Sequence, residues 1–586
     1  MRRLLIAVMF ALFAGPALAD DAPLNRLVAD YEAYALSQNP FEAGREGDRA
    51  ALSRLPDVTP GQEALRKRAY EAFLARLKAI GPAGLSEEAQ LNRAFLAWTL
   101  ERQIQSIDFD EDRMPFNSDG GFDQGLNYVA ASTVIDSEAD ARAWIDRLRA
   151  TPKFFADNIA NARRGVASRF TQPRATNQTV LARAREAALR PPEADPLLKP
   201  FDNAKLDPAL LAPLRAEAVA VIRDKIRPAQ RDFAAFVEKD YLPASRQALG
   251  ARSLPGGEAY YRWLVRDHTT TELTPDQIHA IGLSEVARIH GEMQTAMAQA
   301  GWTGDLPGFI AMLRKDPRFY ATSRQQLLEK ASEIAKRIDD KLPRWFATLP
   351  RLTYGVRPVP AEIEDTYTTG RYFEGNPKQG VSGGYMVNTS HLDQRPLYEL
   401  PALTLHEAVP GHHIQIALGQ ELAGVPAFRR DADATAFTEG WGLYSEQLGG
   451  EMGIYRDPYE RFGKLSYEAW RACRLVADTG IHWMGWSLDE ARRCFAENTA
   501  LSPLNIEVEL ARYVSWPGQA LAYKVGELKI LELRKKAQDA LGPRFDIRRF
   551  HDAVLLAGPL PLDLLEARID AWIAREGAGA ATPSRT

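Results

Sequence analysis

Apolar residues recur every three or four positions through most of the chain, which is the period of an amphipathic helix. In LNRAFLAWTL, which begins at Leu91, the apolar side chains fall on one helical face and the polar ones on the others. Further along, Thr274 is a typical N-cap and Pro275 a typical first helical residue, so a helix is expected from there to about Gln299. The pattern predicts a mainly α fold.

The helical pattern is interrupted between Arg351 and Asn388. The segments RLTYGVRPVP, TYTTGRYF and SGGYMVNTS are rich in Thr, Tyr and Val and are separated by Gly and Pro, which is typical of short strands. A small antiparallel sheet is therefore expected. Gly383 and its neighbour Gly384 would allow close backbone approach, so Tyr385 and the next two residues would offer strand-edge hydrogen bonds to an extended peptide. An ordinary strand turn is the alternative.

The chain has 586 residues, which exceeds the usual size of one domain. Two lobes or one large helical fold are expected, with an N-terminal helical lobe at residues 20–250 and a second lobe at 251–586 that holds the sheet. Charged residues make up 26% and hydrophobic residues 45%, as in ordinary globular proteins. The formal net charge of -4 gives no global basic patch, so nucleic acid is not an expected partner.

The first nineteen residues read MRRLLIAVMFALFAGPALA. A positive start, a short apolar run and small residues before Asp20 are the parts of a signal peptide, with cleavage expected after Ala19. The apolar run is too short to span a bilayer. No Cys follows the cleavage site, so a bacterial lipid anchor is not indicated. The expected product is a periplasmic or secreted protein without a stable membrane anchor.

The chain contains two cysteines, Cys473 and Cys494. An oxidising compartment would allow them to pair, but their separation in sequence does not give their distance in space. A disulfide and two buried thiols are therefore both open alternatives.

The segment LHEAVPGHHIQ, which begins at Leu405, holds three of the nine histidines in the chain. A His-Glu pair followed by another His is the pattern of a zinc helix, in which imidazoles hold the metal and the Glu acts as general base. The usual spacing places the second His four residues after the first. Here that position is Pro410, and the next histidines lie six and seven residues after His406.

Two histidines compete for the second ligand position. On a continuous helix, His413 would lie about 20° from His406, which favours His413. Pro410 disrupts the helix, however, and a bulge around it would bring His412 to the place of the usual ligand. The spacing leaves both open.

A third protein ligand is expected from FTEGWGLYSEQLGG. In zinc helices of this class a downstream Glu commonly supplies it, and Glu439 is the best candidate. Glu446 falls on the same helical face and would orient a ligand imidazole. The alternative for each Glu is a solvated helix face, but Gly440 and Gly442 indicate close helix packing instead.

The segments HEAVPGHHIQ, TEGWGLYSE, RLVADTGIHWMGWS and RYVSWPGQALAYKVGELKI together resemble the bacterial family known as domain of unknown function 885. The resemblance extends from about Tyr260 to Leu556. Proteins of this kind are similar to helical gluzincin metallopeptidases. The resemblance implies a deep groove between two helical lobes. It also implies one zinc ion bound by His406, His412 and Glu439, with Glu407 as general base.

Two further residues gain a role beside this resemblance. Arg474, Asp478 and His482 recur every four residues, so His482 would face a substrate carbonyl or carboxylate. A buried polar cluster that bridges helices is the alternative. Tyr523 would donate to the oxyanion of the tetrahedral intermediate, as a tyrosine does in similar gluzincins. Lys524 or Arg512 would pair with a substrate carboxylate.

The sequence therefore predicts an exported zinc metallopeptidase that cleaves short peptides. Two alternatives stay open: a zinc amidase that acts on a non-peptide metabolite, and a non-catalytic binding or scaffold protein that keeps the fold.

Overall fold

A computed structural model gives the structure of residues 19–361, 364, 367–377 and 380–578. The fold is mainly α, as predicted, with 72% of the structure in helices and one small sheet. The predicted signal peptide lies outside the described residues except for its last position, Ala19. Among the helices that the structure describes, none has the length and apolarity that a membrane crossing requires.

The first half of the described chain is helical throughout. Its helices are α1 (Ala22–Gln38), α2 (Pro40–Arg45), α3 (Pro60–Ala79), α4 (Glu87–Phe109), α5 (Phe122–Ser132), α6 (Glu138–Ser168), α7 (Arg174–Leu189), α8 (Lys199–Asp202), α9 (Pro208–Val221), α10 (Arg227–Phe236) and α11 (Leu242–Ala244). Several of these helices begin with a side-chain cap. Thr59, for example, accepts a hydrogen bond from the backbone N–H of Gln62 at the start of α3.

The second half contains both helices and the sheet. Its helices are α12 (Gly257–Thr269), α13 (Pro275–Gln299), α14 (Leu306–Lys315), α15 (Arg324–Asp339), α16 (Leu342–Trp345), α17 (Leu400–Glu407), α18 (His412–Glu421), α19 (Ala427–Arg430), α20 (Thr435–Glu451), α21 (Pro458–Thr479), α22 (Leu488–Asn498), α23 (Pro503–Ser515), α24 (Ala522–Leu541), α25 (Ile547–Leu555) and α26 (Leu562–Ala578). The predicted start and end of α13 are confirmed, and Thr274 forms a capping box with Gln277.

The sheet consists of β1 (Tyr354–Pro358), β2 (Gly370–Phe373) and β3 (Gly383–Val387), in the order β1-β3-β2. β2 pairs with β3 in the predicted antiparallel sense, but β1 pairs with β3 in parallel, so the sheet is mixed. The prediction that β3 offers a free edge is wrong, because β3 is the central strand and both of its edges are paired. The order leaves the outer edges of β1 and β2 without a strand partner among the described residues.

The largest apolar core cluster belongs mainly to the second half of the chain and surrounds the helix that carries the His-Glu pair. All eight residues of α17 are buried. Phe95 and Phe170 from the first half pack into the same cluster, so the domain boundary at residue 250 stays a prediction.

Helices α20 and α24 cross at very close range. A Cβ atom added to Gly440 would lie 2.5 Å from the backbone carbon of Gly526, and one added to Gly526 would lie 1.8 Å from the carbonyl oxygen of Ala436. The close packing predicted from the glycines of α20 is confirmed at Gly440. It fixes Glu439, the residue before Gly440, relative to Tyr523 on α24.

The two cysteines form a disulfide. Cys473 on α21 and Cys494 on α22 have bonded sulfur atoms, and their Cα atoms lie 5.7 Å apart. The disulfide joins the helix that follows the site region to its neighbour, and it selects one of the two alternatives that the sequence left open.

Candidate metal centre

The helix with the His-Glu pair ends at Glu407 and restarts at His412. Between them Ala408 and Gly411 leave helical dihedral angles, and the Val409–Pro410 peptide bond is cis. A Cβ atom at Gly411 would lie 1.9 Å from the carbonyl oxygen of His406, so only glycine fits this close approach. The break predicted around Pro410 is therefore present as an interruption between two helices.

This interruption brings His412 to His406 and Glu439. One possible ligand atom from each of the three side chains lies within 4.8 Å of the other two. Glu439 Oε2 lies 3.4 Å from His406 Nε2 and 3.5 Å from His412 Nε2. Ligands at 2.0–2.2 Å from a tetrahedral zinc would lie about 3.3–3.6 Å apart, so the two measured distances fit such an ion.

The unsatisfied polar atoms of the cluster fit a cation as well. Glu439 Oε2 is buried and has no hydrogen-bond partner among the described residues, although a buried carboxylate oxygen normally has one. Two imidazoles and a carboxylate, with a fourth position left for water, form a typical catalytic zinc set. The three side chains therefore fit the metal that the sequence predicts.

Electrostatic coupling within the cluster is strong. Burial lowers the pKa of His406, but the contacts with the carboxylates of Glu439 and Glu446 outweigh burial and raise this pKa to about 9. Burial raises the pKa of Glu439, but the contacts with His406 and His412 hold it well below its usual range. The carboxylates thus give the cluster the negative potential that attracts a cation.

His413 lies outside the cluster. Its Nε2 donates to the carbonyl of Leu352 at 3.0 Å, and its Nδ1 accepts from the hydroxyl of Tyr372 at 3.0 Å. Burial lowers the pKa of His413 to about 4, so the ring is neutral at pH 7. With both nitrogens engaged, His413 has a structural role between α18 and the sheet.

Glu446 orients the ring of His406, as its position in the sequence suggested. His406 Nδ1 donates to Glu446 Oε1 at 2.8 Å, which leaves Nε2 facing Glu439. Arg471 approaches the same Glu446 oxygen at 3.1 Å. A Cβ atom at Gly442 would lie 2.6 Å from the His406 ring, so the ring also needs a glycine there. Arg471 was not predicted from the sequence, where its one distinguishing feature is its place three residues before Arg474.

Glu407 is buried at the C-terminal end of α17. Its Oε2 accepts a hydrogen bond from the backbone N–H of Tyr372 at 2.7 Å. Because this N–H is bonded to Glu407, it points away from β3 and toward α17. Glu407 is therefore held between the candidate metal ligand His406 and the outer edge of β2.

Tyr523 lies beside the cluster. Its ring is nearly parallel to that of His406, with the centroids 6.4 Å apart and an angle of 15° between the planes. The Tyr523 hydroxyl accepts from Arg512 Nη2 at 3.2 Å, and the guanidinium carbon of Arg474 lies 4.1 Å from the ring centroid. The two arginines fix the phenol from both sides.

His482 does not have the predicted position. Its Nδ1 accepts from the backbone N–H of Ala251 at 3.0 Å, and its Nε2 donates to the carbonyl of Tyr513 at 2.9 Å. Burial lowers the pKa of His482 to about 3. Asp478, on the same helix, accepts from the hydroxyl of Tyr261 at 2.6 Å. This segment is the buried polar cluster that was the alternative interpretation, and His482 has no free ring nitrogen for a substrate.

Comparisons with known proteins agree with the resemblance seen in the motifs. A family model described as "Bacterial protein of unknown function (DUF885)" matches residues 40–569. A solved structure described as "putative lipoprotein from Colwellia psychrerythraea" is 29% identical, with a TM-score of 0.89 over 95% of this chain and 100% of that one. A second, a "putative lipoprotein of unknown function from Shewanella oneidensis", is 17% identical, with a TM-score of 0.73 over 93% and 98% of the two chains. No curated protein matches the chain.

Proposed function

This chain belongs to the bacterial DUF885 family, whose description names no activity, and we propose from its site that it is a zinc-dependent peptidase acting on short peptides. The observation that carries the proposal is the convergence of His406, His412 and Glu439 next to the buried carboxylate of Glu407. Glu439 Oε2 lies close to both imidazoles but makes no hydrogen bond among the described residues, and a bound cation would satisfy this buried oxygen.

Bound zinc would supply Lewis acidity and lower the pKa of a water molecule in its open position. Glu407 is the general base that takes the proton from the attacking water and delivers it to the leaving amine. The backbone N–H of Tyr372 fixes one oxygen of this carboxylate and leaves the other for the water. Because Glu407 is the next residue after His406, the backbone that positions His406 also positions Glu407.

Tyr523 stabilises the negative charge that develops on the substrate carbonyl oxygen. Arg512 donates to the phenol oxygen at 3.2 Å, so the phenol hydrogen is left to donate elsewhere. The ring stacks near His406, which brings its hydroxyl to the side of the site where the carbonyl would lie. His482 has no part in this mechanism.

A specific observation favours a peptide over a non-peptide amide. In antiparallel pairing, backbone groups point alternately toward and away from the partner strand. Since the N–H of Tyr372 points away from β3, the polar groups of Gly370 point away as well. These groups lie on the outer edge of β2, which has no strand partner among the described residues, and an extended peptide that paired with Gly370 there would lie next to Glu407.

We also propose that the protein is exported to the periplasm or beyond. The N-terminal pattern of a signal peptide supports this location. The disulfide between Cys473 and Cys494 fits an oxidising compartment. The solved relative from Colwellia psychrerythraea is described as a lipoprotein, and lipoproteins of bacteria are exported.

The test combines metal analysis with substrate profiling. The purified protein should contain about one zinc per chain, and a mixed peptide library should be cleaved in a way that chelators abolish and zinc restores. Glu407→Gln should keep the metal and reduce the cleavage rate about 10²–10⁴-fold, because the amide cannot accept the proton. Glu421→Gln, on α18, is the matched control and should cleave like the wild type.

Three results would redirect the proposal. Cleavage of small amides without cleavage of peptides would favour a zinc amidase. Full activity of Glu407→Gln would remove the proposed base. A protein without zinc, with no cleavage under any condition, would favour a binding or scaffold role.

A further inference from the structure

We infer that Arg471 is a positioning residue for the metal centre: it holds the carboxylate of Glu446, which in turn holds the ring of His406. This inference rests on the proposed zinc site and extends it by one residue that touches neither metal nor substrate. It places the control of metal affinity on α21, a helix that contributes no ligand.

The contacts form a continuous chain from α21 to the ligand. Arg471 Nη2 lies 3.1 Å from Glu446 Oε1. His406 Nδ1 donates to the same oxygen at 2.8 Å. One carboxylate oxygen therefore has both the hydrogen bond from His406 and the ion pair with Arg471, and its position depends on both. All three side chains are at most 4% exposed, so water does not compete for these bonds.

Arg471 is itself fixed on its other sides. Its guanidinium carbon lies 4.3 Å from the ring centroid of Trp470 and 4.7 Å from that of Tyr467. Its Nη1 donates to the carbonyl of Tyr467 at 3.2 Å. Among the ion pairs of the described residues, Glu446 is the one carboxylate that Arg471 contacts. The arginine is thus a rigid support directed at Glu446.

The chemistry of a metal-binding histidine explains why the position of Glu446 matters. A neutral imidazole binds metal through one nitrogen only if its hydrogen sits on the other, and a partner at the second nitrogen selects that tautomer. Glu446 selects it for His406 by accepting from Nδ1, which leaves the lone pair of Nε2 for the metal. Without Arg471, the Glu446 carboxylate would lose the ion pair that fixes its rotamer, and the His406 ring would lose its fixed orientation.

The chain offers a matched control in Arg474. This arginine lies one turn further along α21, is also buried, and also stacks on Trp470, at 4.6 Å. Its ion-pair partner is Glu509, at 2.9 Å, and not Glu446. Replacing either arginine by Met removes a buried, stacked and paired guanidinium, but only Arg471 contacts Glu446. Because Arg474 also contacts the ring of Tyr523, which is not a proposed ligand, the comparison uses zinc affinity and not peptide cleavage.

The experiment measures zinc affinity of the full chain by competition with a chromophoric chelator. Arg471→Met should weaken zinc binding about 10–100-fold, which is the usual effect of losing an outer partner of a metal ligand. Arg471→Lys should recover part of this loss, because it restores a donor to Glu446. Arg474→Met should bind zinc within about threefold of the wild type. Thermal unfolding of the metal-free variants shows whether each one folds.

A double substitution tests the route through Glu446. In a Glu446→Gln background, Arg471→Met should weaken zinc binding by less than about threefold further, since the contact is already altered. A full 10–100-fold loss in that background would mean that Arg471 acts by another route and would overturn the inference. Equal zinc affinities of Arg471→Met and Arg474→Met would overturn it as well.

These outcomes are separate from the outcome for catalysis. If the wild type binds zinc but cleaves no peptide, the proposed peptidase function fails, and the zinc affinities still judge Arg471. If the wild type binds zinc and Arg471→Met binds it equally well, the inference fails while the proposed function stands. If the wild type binds no zinc, both fail.

Discussion

The backbone N–H of Tyr372 and the carboxylate of Glu407 are joined by a 2.7 Å hydrogen bond. The bond connects the outer edge of β2 to the end of the helix that carries His406. A peptide that paired with Gly370 on this edge would therefore lie beside the proposed general base. The small sheet is therefore connected to the candidate metal centre through Glu407.

Tyr523→Phe should lower kcat about 10²–10³-fold with little change in KM, because the hydroxyl acts on charge that develops only in the transition state. Zinc content should stay unchanged. Steady-state kinetics on a peptide identified by the library screen would measure the effect. Tyr444→Phe is a suitable control, since this buried tyrosine is hydrogen-bonded to His551. An effect on KM alone would mean that Tyr523 only binds substrate.

Gly442→Ala should weaken zinc binding at least tenfold, because the added methyl group would lie 2.6–2.9 Å from three atoms of the His406 ring and displace it. Isothermal titration of the metal-free protein would measure the affinity. Gly450→Ala on the same helix meets no atom within 4 Å and should bind zinc as the wild type does. Unchanged zinc binding by Gly442→Ala would argue against His406 as a ligand.

Removing the disulfide should destabilise the protein by about 3 kcal/mol, as expected from the loss of a cross-link that closes a loop of 21 residues. The double variant Cys473→Ala/Cys494→Ala avoids a free thiol in the core. Chemical unfolding of this variant and of the wild type would give the difference. A reducing agent should lower the stability of the wild type toward that of the variant and leave the variant unaffected. Equal stabilities without reductant would contradict the prediction.

The sequence was sufficient for the parts of the site that depend on local spacing. His406 and Glu407 are recognisable because they adjoin, and Glu446 follows Glu439 by two helical turns on one face. Periodicity could not decide between His412 and His413, because the rotation per residue is constant only along a continuous helix. Here the backbone leaves helical angles at Ala408 and again at Gly411.

Contacts between residues far apart in the chain could not be predicted from the sequence either. His482 has the polar spacing of a functional face, but spacing does not tell whether a face meets a substrate or the backbone of Ala251. A free edge was expected at β3 because Gly383 and Gly384 would allow close backbone approach there. The actual order depends on how β1 and β2 return to β3, which no local pattern encodes.

The pH dependence of stability should include a contribution from Asp478. Burial raises the pKa of Asp478 to about 7, although hydrogen bonds from Tyr261 and Gly518 oppose this effect. Since the unfolded chain has a lower pKa, near 4, the folded state binds a proton more tightly. Stability from this group is therefore fully present below about pH 4 and is lost as the pH rises to about 7. The loss is on the order of 4 kcal/mol.

Asp478→Asn should remove this contribution, because the amide does not titrate and can still accept from Tyr261. Urea unfolding at several pH values between 5 and 8 would measure it as a difference in slope between wild type and variant. Other raised carboxyl groups, such as Glu399 with a pKa of about 8, remain in both proteins and cancel in this difference. An identical slope for the two proteins would show that Asp478 is ionised over the whole range.

His412→Ala and His413→Ala should separate metal binding from packing. His412 presents Nε2 at 3.5 Å from Glu439, so its loss removes one of three proposed ligands and should weaken zinc binding by several orders of magnitude. His413 is bonded to Tyr372 and Leu352 instead, so its loss should leave zinc binding nearly intact. The same loss leaves two buried partners unsatisfied and should lower the free energy of unfolding by about 1–3 kcal/mol. Zinc titration and chemical unfolding of both variants would test this pair of opposite effects, and a loss of zinc affinity in His413→Ala alone would reverse the assignment.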